Sequence, residues 1–288
     1  MPSLAPITSR VAARAPRLAA AARRSAWRAR NVPRTRGFRP DEALVDRPLF
    51  NELRERGIAV RPFDEVFRDR ATLDELRQIA ERRDAQKEGT AAKEFLERLM
   101  PARVEASGPY VALALEPQVV ALANAYVGMR SYLRGLEMWR NLPTDEPPKL
   151  SQLWHRDWDD VINLKLFVYL SEVTEEHGPF TFAPGTQPHG PRQLDVKDRL
   201  SDEEMARIVP REEWVVCTGR PGTVVLADTC GYHKGGKPTK GDRLLWTAQF
   251  TSGAADAKRN FELADGAPAS LSPEQRWALF EHPRRAAS

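Results

Sequence analysis

Trp154-His155-Arg156-Asp157 places two residue types that bind transition metals one position apart. On an extended segment, side chains two positions apart project from the same face, so His155 and Asp157 would both point at one ion. A third ligand must come from a distant part of the chain, and His233 fits this role. Two neutral imidazoles and one carboxylate suit Fe(II), whereas thiolates suit zinc or clusters and oxygens alone suit magnesium or calcium.

The charge of the chain is unevenly distributed. With 41% hydrophobic residues, the 288-residue chain can build the core of one large or two small domains. The formal net charge is +4, but residues 1–40 hold ten arginines and no acidic residue. Subtracting these ten positive charges from the total leaves residues 41–288 with a net charge of −6. We expect no basic face for nucleic acid on the folded body.

Residues 1–40 are rich in Ala, Arg and Pro, and arginines interrupt their apolar residues every few positions. This composition predicts a disordered basic tail, so deleting residues 1–36 should leave folding and catalysis intact. No segment approaches the length and apolarity of a membrane span. Two cysteines imply no disulfide framework, and we expect a cytoplasmic protein. The alternative is a mitochondrial one, because an Arg-rich, acid-free leader also resembles a transit peptide.

Helical signals dominate 41–130, which we predict to be a helical flank of the catalytic domain. Four segments combine start or stop signals with an apolar face: 46–57, 72–80, 91–99 and 117–128. Asp46 can cap the first of these helices and Gly57 can end it. Thr72 opens the second with the pattern of a capping box.

From residue 131 onward the sequence changes to short strands separated by turn residues. The predicted strands are 131–139, 163–171, 180–182, 213–217, 223–228 and 244–251. Many short strands without a βαβ rhythm predict an antiparallel barrel or jelly roll. We therefore expect a mainly β fold with flanking helices. Its core occupies 131–260, with a helical insertion after Ser201, and a C-terminal helix and tail cover 261–288.

Further motifs surround the two histidines in a fixed order. They are the strand 164–171, Glu175-Glu176-His177-Gly178-Pro179, Ala183-Pro184-Gly185-Thr186, Asp228-Thr229 and Gly231-Tyr232-His233-Lys234-Gly235-Gly236. With these motifs, the region 136–252 resembles the phytanoyl-CoA dioxygenase-like branch of the Fe(II)/2-oxoglutarate oxygenases. The resemblance implies a double-stranded β-helix, a cupin-like jelly roll with its metal at the open end. It also implies Fe(II), 2-oxoglutarate as cosubstrate, molecular oxygen and a small-molecule substrate.

The resemblance assigns His155, Asp157 and His233 to the iron as catalytic ligands. The implied enzyme is a dioxygenase that hydroxylates a small organic molecule and releases succinate and CO2. Related halogenases replace the carboxylate with a small residue to make room for halide, so Asp157 favours hydroxylation. Desaturation and ring formation stay open, and no motif selects the substrate.

Arg243 corresponds to the family's basic residue that pairs with the distal carboxylate of 2-oxoglutarate. Arginine suits this role because its planar fork holds a carboxylate through two hydrogen bonds and stays charged. The family often has Ser or Thr two residues later, where this chain has Leu245, and Thr247 is the nearest hydroxyl on that strand face. Lys165, on the strand after the His-x-Asp segment, is a second cationic candidate for the cosubstrate.

Two other classes of function compete with this one. A catalytically silent cupin-like protein would keep the metal ligands without turnover, and Leu245 is the feature that favours it. A nucleic-acid demethylase would use the same iron chemistry and is suggested by the basic tail. The net charge of −6 on residues 41–288 argues against the demethylase.

Overall fold

The computed structural model describes residues 15–86, 90–192, 199–253, 259–266 and 268–280. Its helices are α1 (Ala15–Thr35), α2 (Arg47–Arg56), α3 (Phe63–Val66), α4 (Arg70–Gln86), α5 (Pro109–Ala112), α6 (Pro117–Val127), α7 (Asp202–Ala206) and α8 (Pro273–Phe280). Its strands are β1 (Ile58–Pro62), β2 (Thr90–Lys93), β3 (Leu96–Arg98), β4 (Arg103–Val104), β5 (Tyr132–Asn141), β6 (Asn163–Tyr169), β7 (Phe180–Phe182), β8 (Val215–Cys217), β9 (Thr223–Asp228), β10 (His233–Gly235), β11 (Arg243–Thr251) and β12 (Glu262–Leu263).

Two antiparallel sheets form the body of the protein. The major sheet has the order β1-β9-β6-β11-β5-β3-β2, and the minor sheet has the order β10-β7-β8. The segment around His155 extends the minor sheet, because the backbones of His155 and His233 exchange hydrogen bonds of 2.9 and 3.0 Å. This arrangement confirms the predicted mainly β fold with flanking helices and agrees with a jelly roll of the double-stranded β-helix type.

Side chains alternate between two environments along the central strands of the major sheet. On β6, Leu164 and Leu166 face outward into the large core formed with the helices. Phe167 and Tyr169 face inward and pack against Phe180 of the minor sheet. Because successive side chains of a strand point to opposite faces, the inner face of this sheet becomes one wall of the space between the two sheets.

The first helices of the flank begin and end close to the predicted positions. Asp46 caps α2 by accepting a hydrogen bond of 2.9 Å from the Leu49 amide. Gly57 ends this helix with φ of 78°, a left-handed conformation that costs glycine least. The predicted capping box at Thr72 is shifted, because Asp69 accepts from the Thr72 amide at 3.1 Å and α4 already begins at residue 70.

Later helices also match the predicted signals. Pro117 stands in the first turn of α6, Gly128 follows its end with φ of 79°, and Ser201 caps α7. Among the described helices, none alone is long and apolar enough to cross a membrane. The bent pair Pro109–Leu115 and Pro117–Val127 reaches that length and composition only when its two halves are combined.

Three strands of the major sheet come from the segment predicted to be helical. The expected helix at 91–99 is wrong: β2 and β3 form an antiparallel hairpin there, and β3 pairs with β5. β1 was not predicted at all and pairs with β9. Both pairings join residues far apart in sequence, so the local apolar spacing does not reveal them.

The predicted disordered tail is helical over Ala15–Thr35. Residues 1–14, and residues 281–288 of the predicted C-terminal tail, lie outside the described residues. α1 docks on the body: Trp27 Nε1 donates to Ser252 Oγ at 3.0 Å, and Arg23 Nη2 donates to the Trp158 carbonyl at 2.8 Å. Arginine and alanine are good helix formers, and one half-buried tryptophan with two polar anchors fixes this helix in place.

Candidate metal and cosubstrate site

The sheets bring the three predicted metal ligands together. His155 and His233 are neighbours in the minor sheet, and the Asp157 amide donates to the Thr229 carbonyl at 2.8 Å. Nε2 of His155 lies 3.9 Å from Oδ1 of Asp157, and Nε2 of His233 lies 4.0 Å from the same oxygen. All three potential ligand atoms lie within 4.8 Å of one another. Small side-chain adjustments would place them around one ion at metal–ligand distances of roughly 2 Å.

Hydrogen bonds orient both imidazoles for metal binding. Nδ1 of His155 lies 2.9 Å from the Leu153 carbonyl, and Nδ1 of His233 lies 3.0 Å from the Gly231 carbonyl. A carbonyl oxygen only accepts, so each Nδ1 carries the proton and each Nε2 keeps a free lone pair. The lone pairs face the Asp157 carboxylate, which is the arrangement that a metal-binding histidine requires.

The protonation states of the three groups suit a cation. Burial lowers the pKa of His155 to about 3, with a further contribution from His233, and burial also lowers the pKa of His233. Burial alone would raise the pKa of Asp157, but attraction to His233 and Lys165 outweighs it and the pKa is lowered. Two neutral imidazoles and one carboxylate therefore stand ready near neutral pH, and a metal need not displace protons from them.

A cavity of about 510 Å³ extends from the metal ligands along the inner face of the major sheet. Arg243 lines it and is itself only 4% exposed. Its Nη2 donates to Asn141 Oδ1 at 3.2 Å, while Nε and Nη1 have no hydrogen-bond partner among the described residues. Burial lowers the pKa of Arg243, because a buried guanidinium without a counter-ion loses the solvation that water gives to its charge. The donor set fits the carboxylate of 2-oxoglutarate.

A family comparison identifies this combination of fold and site. The family model for phytanoyl-CoA dioxygenase matches residues 34–244. The chain belongs to the phytanoyl-CoA dioxygenase family. It is therefore an Fe(II)- and 2-oxoglutarate-dependent oxygenase, which acts on a small molecule with dioxygen. No curated protein sequence matches this family member significantly.

Solved structures with the same fold are distant in sequence. EctD from S. alaskensis, solved with 2-oxoglutarate and 5-hydroxyectoine, is 19% identical with a TM-score of 0.56, and the match covers 88% of each chain. The 2-oxoglutarate-dependent epimerase SnoN from nogalamycin biosynthesis is 21% identical with a TM-score of 0.54, over 73% of this chain and 83% of SnoN. HygX from Streptomyces hygroscopicus, solved with nickel, 2-oxoglutarate and hygromycin B, is 17% identical with a TM-score of 0.50, over 78% and 93%.

The residues around Arg243 account for the departure from the family pattern. Leu245 packs in the apolar cluster between the sheets, beside Tyr169. Thr247 lies two residues further along the same strand face, lines the cavity and is 2% exposed. Lys165 also lines the cavity, but it pairs with Gln249 in the register of β6 and β11. The family member thus keeps a hydroxyl on this wall, one strand repeat from the expected position.

Several cavity residues of this oxygenase were missed by sequence reasoning. Trp139 and Tyr169 belong to predicted strands, and only the observed alternation shows that they face inward. Asn141 lies beyond the predicted strand end at 139. Lys93 was placed in the wrong helix at 91–99, and Arg199 follows no local signal. Trp139, Asn141 and Tyr169 lie on the same face of the sheet as Arg243. Counting alternate positions from Arg243 across its antiparallel partner strands could therefore have predicted these three residues.

Proposed function

We propose that this protein is a dioxygenase that hydroxylates a small organic molecule. A C–H bond of the substrate becomes C–OH, while 2-oxoglutarate and dioxygen yield succinate and CO2. In this proposal His155, Asp157 and His233 hold Fe(II), and Arg243 holds the distal carboxylate of 2-oxoglutarate. One observation carries the proposal: three converging metal-ligand atoms and a buried, partly unpaired guanidinium open into the same cavity.

Each ligand has a separate task. Bound Fe(II) supplies the activation of dioxygen that protein groups cannot perform. His155 and His233 bind through Nε2, with their rings fixed by the Leu153 and Gly231 carbonyls. Asp157 would supply a carboxylate oxygen as the third protein ligand to the metal. A small residue at this position would leave room for halide, so the carboxylate supports hydroxylation.

The residues that line the cavity strengthen the binding of the cosubstrate. Asn141 fixes one nitrogen of Arg243 and leaves Nε and Nη1 to donate to a carboxylate. Tyr169, Phe180 and Leu245 surround this region with apolar surface. Beside such apolar surface an ion pair is stronger than in water, and the ligand carboxylate offsets the cost of burying the guanidinium.

The metal assignment is tested by iron binding. The native protein should bind one Fe(II) per chain, and His155→Ala or His233→Ala should nearly abolish this binding, because two ligands remain without facial geometry. Asp157→Gly should weaken iron binding and suppress hydroxylation. His177→Ala is the matched control, since His177 bonds to Thr174 in a turn and does not line the cavity. Wild-type iron affinity in either histidine variant would refute the assignment.

The proposed hydroxylation is tested by measuring the products of the reaction. Iron-dependent conversion of 2-oxoglutarate to succinate is measured against a metabolite extract, with mass spectrometry for an added oxygen atom in a product. Stoichiometric succinate and a product heavier by one oxygen would support hydroxylation. Succinate with a product that has lost two hydrogens would show desaturation or ring formation instead.

A further inference from the structure

The cavity holds more positive charge than iron chemistry uses. Fe(II) with Arg243 contributes three positive charges, and Asp157 with the two carboxylates of 2-oxoglutarate contributes three negative charges. These groups therefore balance. Beyond them the cavity is also lined by Arg156, whose Nε donates to the Cys230 carbonyl, and by Lys93, Lys165 and Arg199, which we call the mouth cations.

Two further acidic groups of the cavity reduce this positive charge without cancelling it. Glu137 accepts hydrogen bonds of 2.8 Å from both Trp139 Nε1 and Asn260 Nδ2. Asp159 forms an ion pair of 2.8 Å with Arg134. These are the two acidic residues that line the cavity besides Asp157. Within the described part of the chain, neither carboxylate is paired with a mouth cation.

The two lysines lack a polar partner within the described residues. Lys165 Nζ lies 5.5 Å from the ring centre of Phe167, and Lys93 Nζ lies 5.8 Å from that of Phe95. The pKa of Lys93 is lowered first by burial and then by repulsion from Arg199; attraction to Glu137 opposes this, and Lys165 adds a smaller lowering. The third mouth cation, Arg199, donates to the Leu150 carbonyl at 2.6 Å, which is a neutral group.

Lys165 is too far along the sheet to share a carboxylate with Arg243. It pairs with Gln249, six residues after Arg243 on β11. At about 3.4 Å per residue, roughly 20 Å of strand separates the two backbone positions. Lys165 instead lies near the metal ligands: it is paired with Ala227 of β9, two residues before Thr229, whose carbonyl accepts from the Asp157 amide. A molecule presented to the metal therefore meets Lys165 on the side away from Arg243.

We propose that the substrate is an organic anion whose carboxylate or phosphate group binds between Lys93, Lys165 and Arg199. The inference rests on the proposed function and extends it to a substrate class. An anionic group would neutralise the surplus charge, and the three flexible or forked donors would hold it while a carbon atom several bonds away faces the metal.

Four probes that share one chain and differ in the head group test this proposal: hexanoate, hexyl phosphate, hexan-1-ol and hexylamine. They are titrated into the protein loaded with Fe(II) and 2-oxoglutarate under anaerobic conditions at constant ionic strength. Trp139 and Trp158 line the cavity, so tryptophan fluorescence reports binding. We expect the two anions to bind at least about tenfold more tightly than the alcohol and the amine. Which anion binds more tightly identifies the head group.

The variants locate the binding site. Lys165→Met and Lys93→Met should each reduce the preference for anions by about fivefold or more, and Lys165→Arg should retain most of it. Lys240→Met is the control with the same change in charge, because Lys240 pairs with Glu176 outside the cavity. Its anion preference should equal that of the native protein.

Several results would overturn the proposal. These are equal affinities for the four probes, no detectable binding of either anion at millimolar concentration, or the same loss in Lys240→Met as in Lys165→Met. If Lys165→Met abolished binding of 2-oxoglutarate but kept the anion preference, Lys165 would hold the cosubstrate instead. Binding is measured without turnover, so a failure to form succinate would refute the proposed function and leave this test intact.

Discussion

Arg243 is the residue on which the cosubstrate assignment depends. Arg243→Leu should raise the Michaelis constant for 2-oxoglutarate by at least roughly tenfold and leave iron affinity nearly unchanged. A charge-assisted bidentate bond contributes on the order of 1.5–3 kcal/mol, which corresponds to this loss. Arg243→Lys should recover only part of it, because lysine restores the charge without the fork. Succinate formation and Fe(II) titration measure the two quantities, and an unchanged Michaelis constant in Arg243→Leu would remove the residue from the cosubstrate site.

Asp228, at the end of β9, links three parts of the structure through its carboxyl group. Its fully buried carboxyl accepts from the Tyr126 hydroxyl at 3.1 Å, from the Cys230 amide at 3.1 Å and from the Asn163 amide at 3.3 Å. These bonds join α6, β6 and the turn that leads to His233. The Asp228-Thr229 motif therefore helps to position His233, a candidate metal ligand.

The buried carboxyl of Asp228 should make stability depend on pH. Burial raises its pKa to about 6, although the three donors act in the opposite direction. The same carboxyl has a pKa of about 4 in the unfolded chain, so the folded state binds more protons between pH 4 and pH 6. The contribution of this carboxyl to folding stability is therefore fully present below pH 4 and is lost as the pH rises through 6. Asp228→Asn cannot ionise and should lack this loss. Between pH 4 and pH 8, the free energy of unfolding of the native protein should fall by on the order of 3 kcal/mol relative to that of the variant, as measured by denaturant unfolding. A difference independent of pH would show that the folded carboxyl titrates normally.

At the scale of elements, α1 replaces the expectation of a dispensable tail. Deleting residues 1–36 removes the half-buried Trp27 and the anchors of Arg23 and Arg34, of which Arg34 donates to the Arg130 carbonyl at 2.9 Å. The lost burial and hydrogen bonds contribute about 2–3 kcal/mol, so the melting temperature should fall by roughly 4–8 °C. Deletion of residues 1–14 is the control because it leaves α1 whole. Equal melting temperatures for all three proteins would show that the docking of α1 contributes nothing to stability.

The position of α1 also bears on localisation, which we propose to be cytoplasmic. Cleavage of a transit peptide near residue 40 would remove a helix whose Trp27 packs against the main core. A leader that is discarded has no need of such packing. Sequencing the N-terminus of the protein isolated from its cells tests this: retention of Trp27 supports the proposal, and a mature terminus near residue 40 contradicts it.

Elements whose signals are local could be predicted from the sequence, and elements set by distant pairing could not. Asp46, Gly57 and Pro117 mark helix ends through their own backbone and side-chain chemistry, so they are right to within a residue or two. The hairpin of β2 and β3 carries apolar residues at spacings that also suit a helix, and only its pairing with β5 makes it a strand. The candidate metal ligands could be proposed from the sequence because their residue types are specific. Asn141 could not, because its role exists only through its contact with Arg243, 102 residues away.

For the whole molecule, the first hundred residues complete the major sheet on both sides. β1 covers the outer edge of β9, and β3 covers the outer edge of β5. The main hydrophobic core likewise joins residues from Val45 to Leu279. The predicted boundary at 130/131 therefore separates elements of one sheet and one core.

A fragment of residues 131–288 should consequently fail to fold by itself. It would expose the edges of β9 and β5 and would lose α6 from the outer face of the sheet, which favours aggregation through edge pairing. We expect this fragment to be insoluble, or soluble without a cooperative unfolding transition and without Fe(II) binding. The fragment 41–288 keeps both edge strands and α6, so it should unfold cooperatively at a somewhat lower temperature than the full chain. Circular dichroism, tryptophan fluorescence and iron titration measure these properties. A cooperative transition in residues 131–288 would mean that the jelly roll is stable without its edge strands, and the flank would then be a separate layer as its helical signals first indicated.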